Sequence, residues 1–474
     1  MAFRDIRQYI EALDKTGDVV HIRQEINWDL EVGAISRRSG EMHGPAVFFE
    51  KIKDYPPGYR MLSLPFDTPR RWAIAFGLDP NIGVTEIQNE IQRRIGSRIK
   101  PIVVKDGPCK ENIILGNEVD LFRFPSPMFS YGDGGRYLGT QSIEVIKDPD
   151  SDWVNWGAYR MMLYDEKHMG VNMGIWNQGG TIFVDKFVSK DQPMPMAVVI
   201  GADPGSHWAA QFRIPAKDSE VELAGSLRQE PVEIVKCETI DLLVPAHAEI
   251  ILEGEVLPDV MLREGPFCEN HSHECAVRLN PVFRVKSITH RNNPILTVTP
   301  GGIFGLNPST MPAEIITMKR ALEERGIPVV GIHSPDETFG MLLIVAVKRT
   351  GDVNVASQID HIIHAVMRGR PTMIMVVDED VNVSDMREVL HTLAARCHPG
   401  RGIRVRAPEM CINTAPWLSH EERELSRGAN VLFDCTWPIE RPKEEIPRRI
   451  LFRDSFPDEI RDKVLKNWKS YGFK

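Results

Sequence analysis

Apolar positions follow two periods along the chain, and the switch between them marks its units. Phe3, Ile6, Ile10 and Leu13 recur at helical spacing until Gly17. The β-branched run Val19-Val20-His21-Ile22 follows, so a helix and then a strand are predicted. From about residue 45 to 130, short apolar segments alternate with Pro and Gly punctuation, including Tyr55-Pro56-Pro57-Gly58 and Phe124-Pro125-Ser126-Pro127. This predicts a mixed α/β unit with long surface connections. Residues 131–305 are richer in strand runs: Ile143-Glu144-Val145-Ile146, Met196 to Ile200, Ala248 to Leu252 and Val282 to Val285. They predict a largely antiparallel, barrel-like sheet. Pro312 to Arg325 has strong helix formers, an apolar face at Ile315, Ile316 and Leu322, and a stop at Gly326, which suits a helix linking two domains. Strand and helix then alternate through Leu342 to Val347, Val353 to Met367, Met373 to Val377 and a helix after Ser384 or Asp385, predicting a smaller α/β domain. The Lys-rich end, Lys463 to Lys474, reads as a solvated terminal helix.

Composition narrows the function classes. A chain of 474 residues, 42% apolar and 26% charged, folds as two or three domains with ample core. Its 57 Lys and Arg against 66 Asp and Glu give a net charge of -9, the wrong sign for a nucleic-acid partner. The longest strongly apolar run, Met341 to Val347, is far short of the roughly 20 residues that cross a bilayer. Arg4, Asp5 and Arg7 interrupt the start where a secretory signal needs apolar residues, so a cytoplasmic location without membrane attachment is expected. Seven scattered cysteines do not form a disulfide framework, and reduced thiols are expected.

The densest candidate chemistry is Arg263-Glu264-Gly265-Pro266-Phe267-Cys268-Glu269-Asn270-His271-Ser272-His273-Glu274-Cys275. Two carboxylates, Glu264 and Glu269, flank a Gly-Pro bend that can aim both into one cavity. Close carboxylates in a shielded site separate their pKa values, which is acid/base equipment; alone, the segment also reads as a charged surface loop. Cys268, His271, His273 and Cys275 offer zinc-type ligands without the usual knuckle spacing. Asp378-Glu379-Asp380 could hold Mg²⁺ but equally suits a solvated strand end. The pairs Gly134-Gly135, Gly179-Gly180 and Gly301-Gly302 build neither a dinucleotide nor an NTP loop. Asn155-Trp156-Gly157-Ala158-Tyr159-Arg160 combines an amide ligand, a close backbone approach and a guanidinium, or is simply a strand with a salt-bridged Arg.

Taken together, these segments resemble the UbiD family of decarboxylases, which use prenylated FMN. The family's Asn and Arg five apart appear as Asn155 and Arg160, and its E-G-P-F-G-E as Glu264-Gly265-Pro266-Phe267-Cys268-Glu269. Lys236-Cys237-Glu238-Thr239, Glu249 to Gly254 and Val376 to Val381 are further landmarks in the same order. The resemblance implies an α/β (α+β) fold in four parts: an N-terminal α/β region over 1–110, a split-barrel-like prenylated-FMN domain over 111–308, a linking helix over 309–330, and a C-terminal α/β oligomerisation domain with its tail helix over 331–474. It implies Arg160, Glu264 and Glu269 as the catalytic set, and Asn155, Trp156, Ala158, Tyr159, Arg160, Gln178, Gln211 and Glu220 around the cofactor. The family's Asn, His and Glu metal ligands map to Asn155, Asn177 and Glu220, with Gln178 as the alternative to position 177. Mn²⁺, Mg²⁺ or Fe²⁺, with K⁺, would accompany the flavin.

Cys268 stands where the family has glycine, and Asn270-His271-Ser272-His273 departs from it as well, so these side chains are expected at the substrate end. A family Lys near Met373 is absent, leaving Arg368 or Arg370 for the phosphate. The resemblance implies reversible decarboxylation of an aromatic, heteroaromatic or α,β-unsaturated acid, or an aryl acyl-CoA, with CO₂ as co-product. A flavin prenyltransferase would supply the cofactor, and the chain would form a homo-oligomer, dimer or hexamer. In that reaction Arg160 would grip the substrate carboxylate as a fork and Glu264 would hold Arg160. Glu269, its pKa raised by Glu264 and a dry pocket, would shuttle the proton. The competing readings are a non-catalytic flavin- or metal-binding member of the same fold and a zinc hydrolase built on residues 268–275.

Overall fold

The computed structural model describes residues 3–175, 177–269, 271–302, 310–349, 355–367 and 369–473; Asn270, Arg368 and the start of the helix expected from Val353 lie outside the described residues. The first helix, Ile6–Thr16, starts where the Asp5 side chain accepts the Gln8 N–H and stops where Gly17 adopts a φ of 73°. It buries Ile6, Tyr9, Ile10 and Leu13, and Phe3 packs on the same core from outside the helix. Val19–Ile26 pairs in parallel with Ala46–Ile52, which pairs antiparallel with Arg60–Ser63. The fourth strand of this sheet, Ile295–Val298, arrives from far along the chain.

Tyr55-Pro56-Pro57-Gly58 is a surface turn, whereas Phe124 to Pro127 is buried, against the expectation of a surface connection. Its neighbourhood satisfies its polar groups internally. Met128 N–H donates to Trp28 O at 3.2 Å, Leu30 N–H donates to Met128 O at 2.9 Å, and Arg136 Nε donates to Ser126 O at 2.8 Å. A segment with its backbone paired in this way can be covered at little cost.

The central sheet runs, in spatial order, Tyr137–Gly139, Met161–Leu163, His168–Val171, Arg278–His290, Ile250–Glu264, Met194–Ile200, Ser142–Lys147 and Val154–Gly157, with Asn112–Leu115 also paired to Arg278–His290. Every pairing is antiparallel. The order forces the sheet to curl. Val154–Gly157 and Met161–Leu163 stand six strand spacings apart, which would be roughly 29 Å in a flat sheet. Only Ala158-Tyr159-Arg160 connects them, and Gly157 to Met161 can span at most about 14 Å. The two ends of the sheet therefore meet at a seam, and that three-residue connector lies in it.

Both faces of this curled sheet are covered. Met196, Val198 and Ile200 join one core cluster with Leu252, Phe283 and Tyr137, while Ala197 and Val199 join another with Trp208 and Leu223. Burial on both faces is why these strands read as unbroken apolar runs. The helix Thr310–Glu323 leads to a five-stranded sheet ordered Val329–His333, Leu342–Val347, Met373–Asp378, Arg427–Asp434 and Ile403–Met410, parallel at its centre and antiparallel at both edges. The terminal helix, Asp458–Lys466, has no buried residue.

Glu264 ends the fifteen-residue strand Ile250–Glu264, and Gly265 turns the chain with a φ of 90°. A Cβ there would meet nothing closer than 3.6 Å, so a side chain would be strained rather than clashing. Gly265→Ala is expected to destabilise the fold by about 1–3 kcal/mol in urea denaturation; an unchanged midpoint would mean that the bend tolerates an L residue.

Candidate active site

The connector Ala158-Tyr159-Arg160 is pinned from both sides. Glu144, fully buried on Ser142–Lys147, accepts the Tyr159 N–H and the Ser142 hydroxyl, each at 2.6 Å. Burial pushes the Glu144 carboxyl up to about 8 against the pull of those two donors. The Tyr159 hydroxyl accepts the Gly179 N–H at 3.2 Å and donates to Asn155 Oδ1 at 3.3 Å. Gly179 has to be glycine for this approach, since a Cβ would lie 2.6 Å from the Tyr159 oxygen.

Arg160 projects from the seam between two carboxylates. Its Nε and Nη2 donate to Glu264 Oε1 and Oε2, both at 2.9 Å, and its Nη1 donates to Glu269 Oε1 at 2.8 Å. Nη2 also reaches Cys275 Sγ at 3.4 Å, and the guanidinium stacks 4.7 Å from the Phe267 ring centre. Burial works against the Arg160 charge, but the two carboxylates outweigh it and hold the group firmly cationic. Glu264 accepts two more bonds, from the Tyr137 hydroxyl at 2.8 Å and from Asn280 Nδ2 at 3.1 Å. It is saturated with donors and sits behind Arg160. Glu269 has Arg160 as its side-chain donor and forms part of a cavity wall.

The pKa expected for Glu269 needs correction. Burial alone would push it up, but the charge and hydrogen bond of Arg160, aided by His271 and Arg278, hold the carboxyl below its ordinary range. The guanidinium between the two carboxylates reverses the sign that two bare carboxylates would give.

The cavity measures about 1220 Å³. Asn155, Trp156, Ala158, Tyr159, Arg160, Asn177, Gln178, Gln211, Glu220 and Glu269 all line it, and Glu264 does not. At its other pole, Asn155 Nδ2 donates to Gln178 Oε1 and to Glu220 Oε1, both at 3.0 Å, and Trp156 N–H donates to Glu220 Oε2 at 3.3 Å. Burial pushes the Glu220 carboxyl up to about 7 against the pull of the Trp156 N–H and the Asn155 amide. Asn177 Oδ1 is occupied differently: it caps the helix Gln178–Ile182 by accepting the Gly180 N–H at 2.7 Å. The carbonyl oxygen facing Asn155 is therefore that of Gln178, the alternative to position 177.

Glu269 N–H donates to His273 O at 3.0 Å, and Cys275 N–H donates to Phe267 O at 2.9 Å, so the chain doubles back immediately after Glu269. This hairpin turns Cys268, His271, Ser272 and His273 away from the cavity, contrary to their expected place at its substrate end. His271 is buried against Phe339, with 5.6 Å between ring centres. Arg370 donates to Glu314 Oε1 at 2.6 Å and is not in the cavity wall, where Arg98, Arg213, Arg320 and Arg325 stand instead. Sequence reading missed these arginines, together with Tyr137 and Asn280, and offered Cys275 only as a zinc-type ligand, because no local spacing ties any of them to Arg160. Among the described residues, no group of three His, Cys, Asp or Glu side chains is placed to hold a metal.

Residues 10–91, 101–303 and 311–435 match, in order, the N-terminal, Rift-related and C-terminal domains of 3-octaprenyl-4-hydroxybenzoate carboxy-lyase, the UbiD model set. The chain belongs to the UbiD family. Its enzymes are carboxy-lyases, and so is this protein. It is 30% identical to pyrrole-2-carboxylic acid decarboxylase of Pseudomonas aeruginosa over 99% of this chain and 98% of that one. It is 28% identical to ferulic acid decarboxylase 1 of Saccharomyces cerevisiae, with 99% and 98% covered. The closed form of vanillic acid decarboxylase from Sedimentibacter hydroxybenzoicus superposes with a TM-score of 0.87 at 26% identity, covering 100% of both chains. Among the described residues of this UbiD-family chain, no helix is long and apolar enough to cross a membrane.

Folding raises the Glu144 carboxyl from 4.5 to about 8, so the folded chain holds this proton more tightly than the unfolded one. The resulting stability is present below about 4.5 and is lost as the pH climbs through about 8. In urea denaturation, Glu144→Gln should flatten this decline, gaining on the wild type by a few kcal/mol between about pH 5 and about pH 8. A difference that does not move with pH would exclude the linkage.

Proposed function

We propose that this UbiD-family carboxy-lyase is a prenylated-FMN-dependent, reversible, non-oxidative decarboxylase of an aromatic, heteroaromatic or α,β-unsaturated carboxylic acid. The observation that carries the reading is the Glu264–Arg160–Glu269 array placed so that Arg160 and Glu269 face a cavity with room for an enlarged isoalloxazine and its phosphate tail. The relatives named above act on a pyrrole carboxylate, ferulic acid and vanillic acid, which supports an aromatic acid as substrate. Bound there, the flavin would supply the electron acceptor that no side chain provides when CO₂ leaves an sp² carbon. Asn155, Gln178 and Glu220 would hold a divalent cation against the flavin phosphate, and Trp156, Ala158, Tyr159 and Gln211 would border the cofactor.

A guanidinium has five N–H bonds. In Arg160 the Nε bond and one Nη2 bond go to Glu264, the other Nη2 bond goes to Cys275 and one Nη1 bond goes to Glu269. The fork is taken, so a substrate carboxylate meets Nη1 alone, whose second N–H stands beside the one donated to Glu269. This replaces the bidentate grip expected from the sequence. An incoming anion that draws Nη1 away leaves Glu269 buried beside negative charge, where it takes up a proton. Departure of CO₂ returns Nη1 to Glu269, lowers its proton affinity and drives that proton onto the carbon that carried the carboxylate. Glu264, which accepts four hydrogen bonds, fixes Arg160 throughout.

At the other end of the chain, Ile460 and Leu465 are 45% and 61% exposed on a helix with nothing buried, a surface suited to a second copy in a homo-oligomer.

Protein co-produced with a flavin prenyltransferase should show flavin absorbance, carry the cofactor mass and decarboxylate members of an aromatic-acid panel. Glu269→Gln should retain the flavin while losing about 100-fold or more in turnover and in solvent-deuterium incorporation. Near-full activity in that variant would remove Glu269 from the proton path, and flavin-free protein would remove the whole reading.

A further inference from the structure

We propose that the cation site at the phosphate end of the cavity is built from oxygen donors alone, Asn155, Gln178 and Glu220, and therefore accepts Mg²⁺ as readily as Mn²⁺, without the preference for Co²⁺ and Zn²⁺ that an imidazole ligand confers. The inference rests on the reading that a divalent cation joins this protein to a flavin phosphate.

The orientation of Gln178 is fixed by its far side. Its Nε2 donates to Ile214 O at 2.8 Å, and a flipped amide would set two carbonyl oxygens against each other. Oε1 must therefore face Asn155. The Asn155 amide now places its NH₂ between Gln178 Oε1 and Glu220 Oε1, donating to both at 3.0 Å, as a cation would draw the same two oxygens together. Exchanging the Asn155 nitrogen and oxygen turns its carbonyl toward that point. On the other side the exchange reverses the contact with Tyr159: Asn155 Nδ2 then donates to the hydroxyl lone pair left beside the one used by Gly179 N–H, and the hydroxyl proton gives up Asn155 as its acceptor. Asn177 Oδ1 is turned instead to the Gly180 N–H, and the oxygen that faces Asn155 is that of Gln178.

No His or Cys stands among the described residues of the cavity wall. Two amide carbonyls and one carboxylate are hard donors, suited to Mg²⁺ and Mn²⁺. Imidazole strengthens binding of Co²⁺ and Zn²⁺ far more than that of Mg²⁺, so its replacement by Gln178 compresses the range of affinities.

The test titrates chelator-stripped protein and FMN with Mg²⁺, Mn²⁺, Co²⁺ or Zn²⁺, and follows flavin fluorescence and isothermal heats. In the wild type, the four half-saturating concentrations should fall within about thirtyfold, and in Gln178→His the gap between Mg²⁺ and Zn²⁺ should widen by about tenfold or more. Wild-type protein that retains FMN with Zn²⁺ or Co²⁺ but not with Mg²⁺ overturns the proposal while leaving a metal-anchored flavin intact. FMN retention indifferent to every cation overturns the metal reading and the proposal with it. If Gln178→His fails to fold, as judged by its melting curve, the wild-type series decides alone.

Discussion

One guanidinium shared by two carboxylates sets the terms for the reacting end of the cavity. Arg160 brings one positive charge to a place where Glu264 and Glu269 bring two negative ones, all largely withdrawn from water. The excess charge is tolerable because the carboxylates are treated unequally. Glu264 takes the planar fork of Arg160 plus a tyrosine hydroxyl and an asparagine amide, so its oxygens are held from every side. Glu269 accepts one guanidinium bond, and the charge of Arg160, with His271 and Arg278, holds its carboxyl below the ordinary range.

The two poles of the cavity belong to one short stretch of chain. Asn155 stands with Gln178 and Glu220, and Arg160, five residues later, stands with the two glutamates. The backbone between them crosses the seam where the sheet closes on itself. The separation between the anchoring end and the reacting end is thus a property of Val154–Gly157 and its connector, and Glu144 and Tyr159 hold that connector from behind. A carboxyl buried as deeply as Glu144 works against stability at neutral pH, which is the cost of fixing the Tyr159 N–H next to Arg160.

Short-range patterns were legible wherever local chemistry decides local structure. Asp5 and Gly17 bound the first helix, Asp385 caps Met386–Arg396, and Leu342–Val347 and Met373–Asp378 form strands where apolar runs marked them. Patterns that depended on distant neighbours misled. Phe124 to Pro127 has the composition of a surface turn, yet partners from Trp28 and Arg136 allow it to be buried. His271 to His273 follow Glu269 in sequence, but a hairpin reverses the chain between them and points their side chains elsewhere. Asn177 caps the helix beginning at Gln178, so the amide oxygen turned toward Asn155 belongs to the next residue.

The sequence by itself determined the inventory and its spacing: Asn155 and Arg160 on one stretch, two glutamates around a Gly-Pro bend, and runs of apolar residues long enough to be buried on both faces. These are covalent facts and local propensities, fixed before any long-range contact forms. The tertiary structure alone decided the sign of the Glu269 shift, the identity of the amide facing Asn155, and the supporting parts played by Tyr137, Asn280 and Cys275. Each of those depends on which groups lie a few ångströms apart after the sheet has curled. Electrostatic energy and hydrogen bonding fall off over distances in space, to which separation along the chain is only a loose guide.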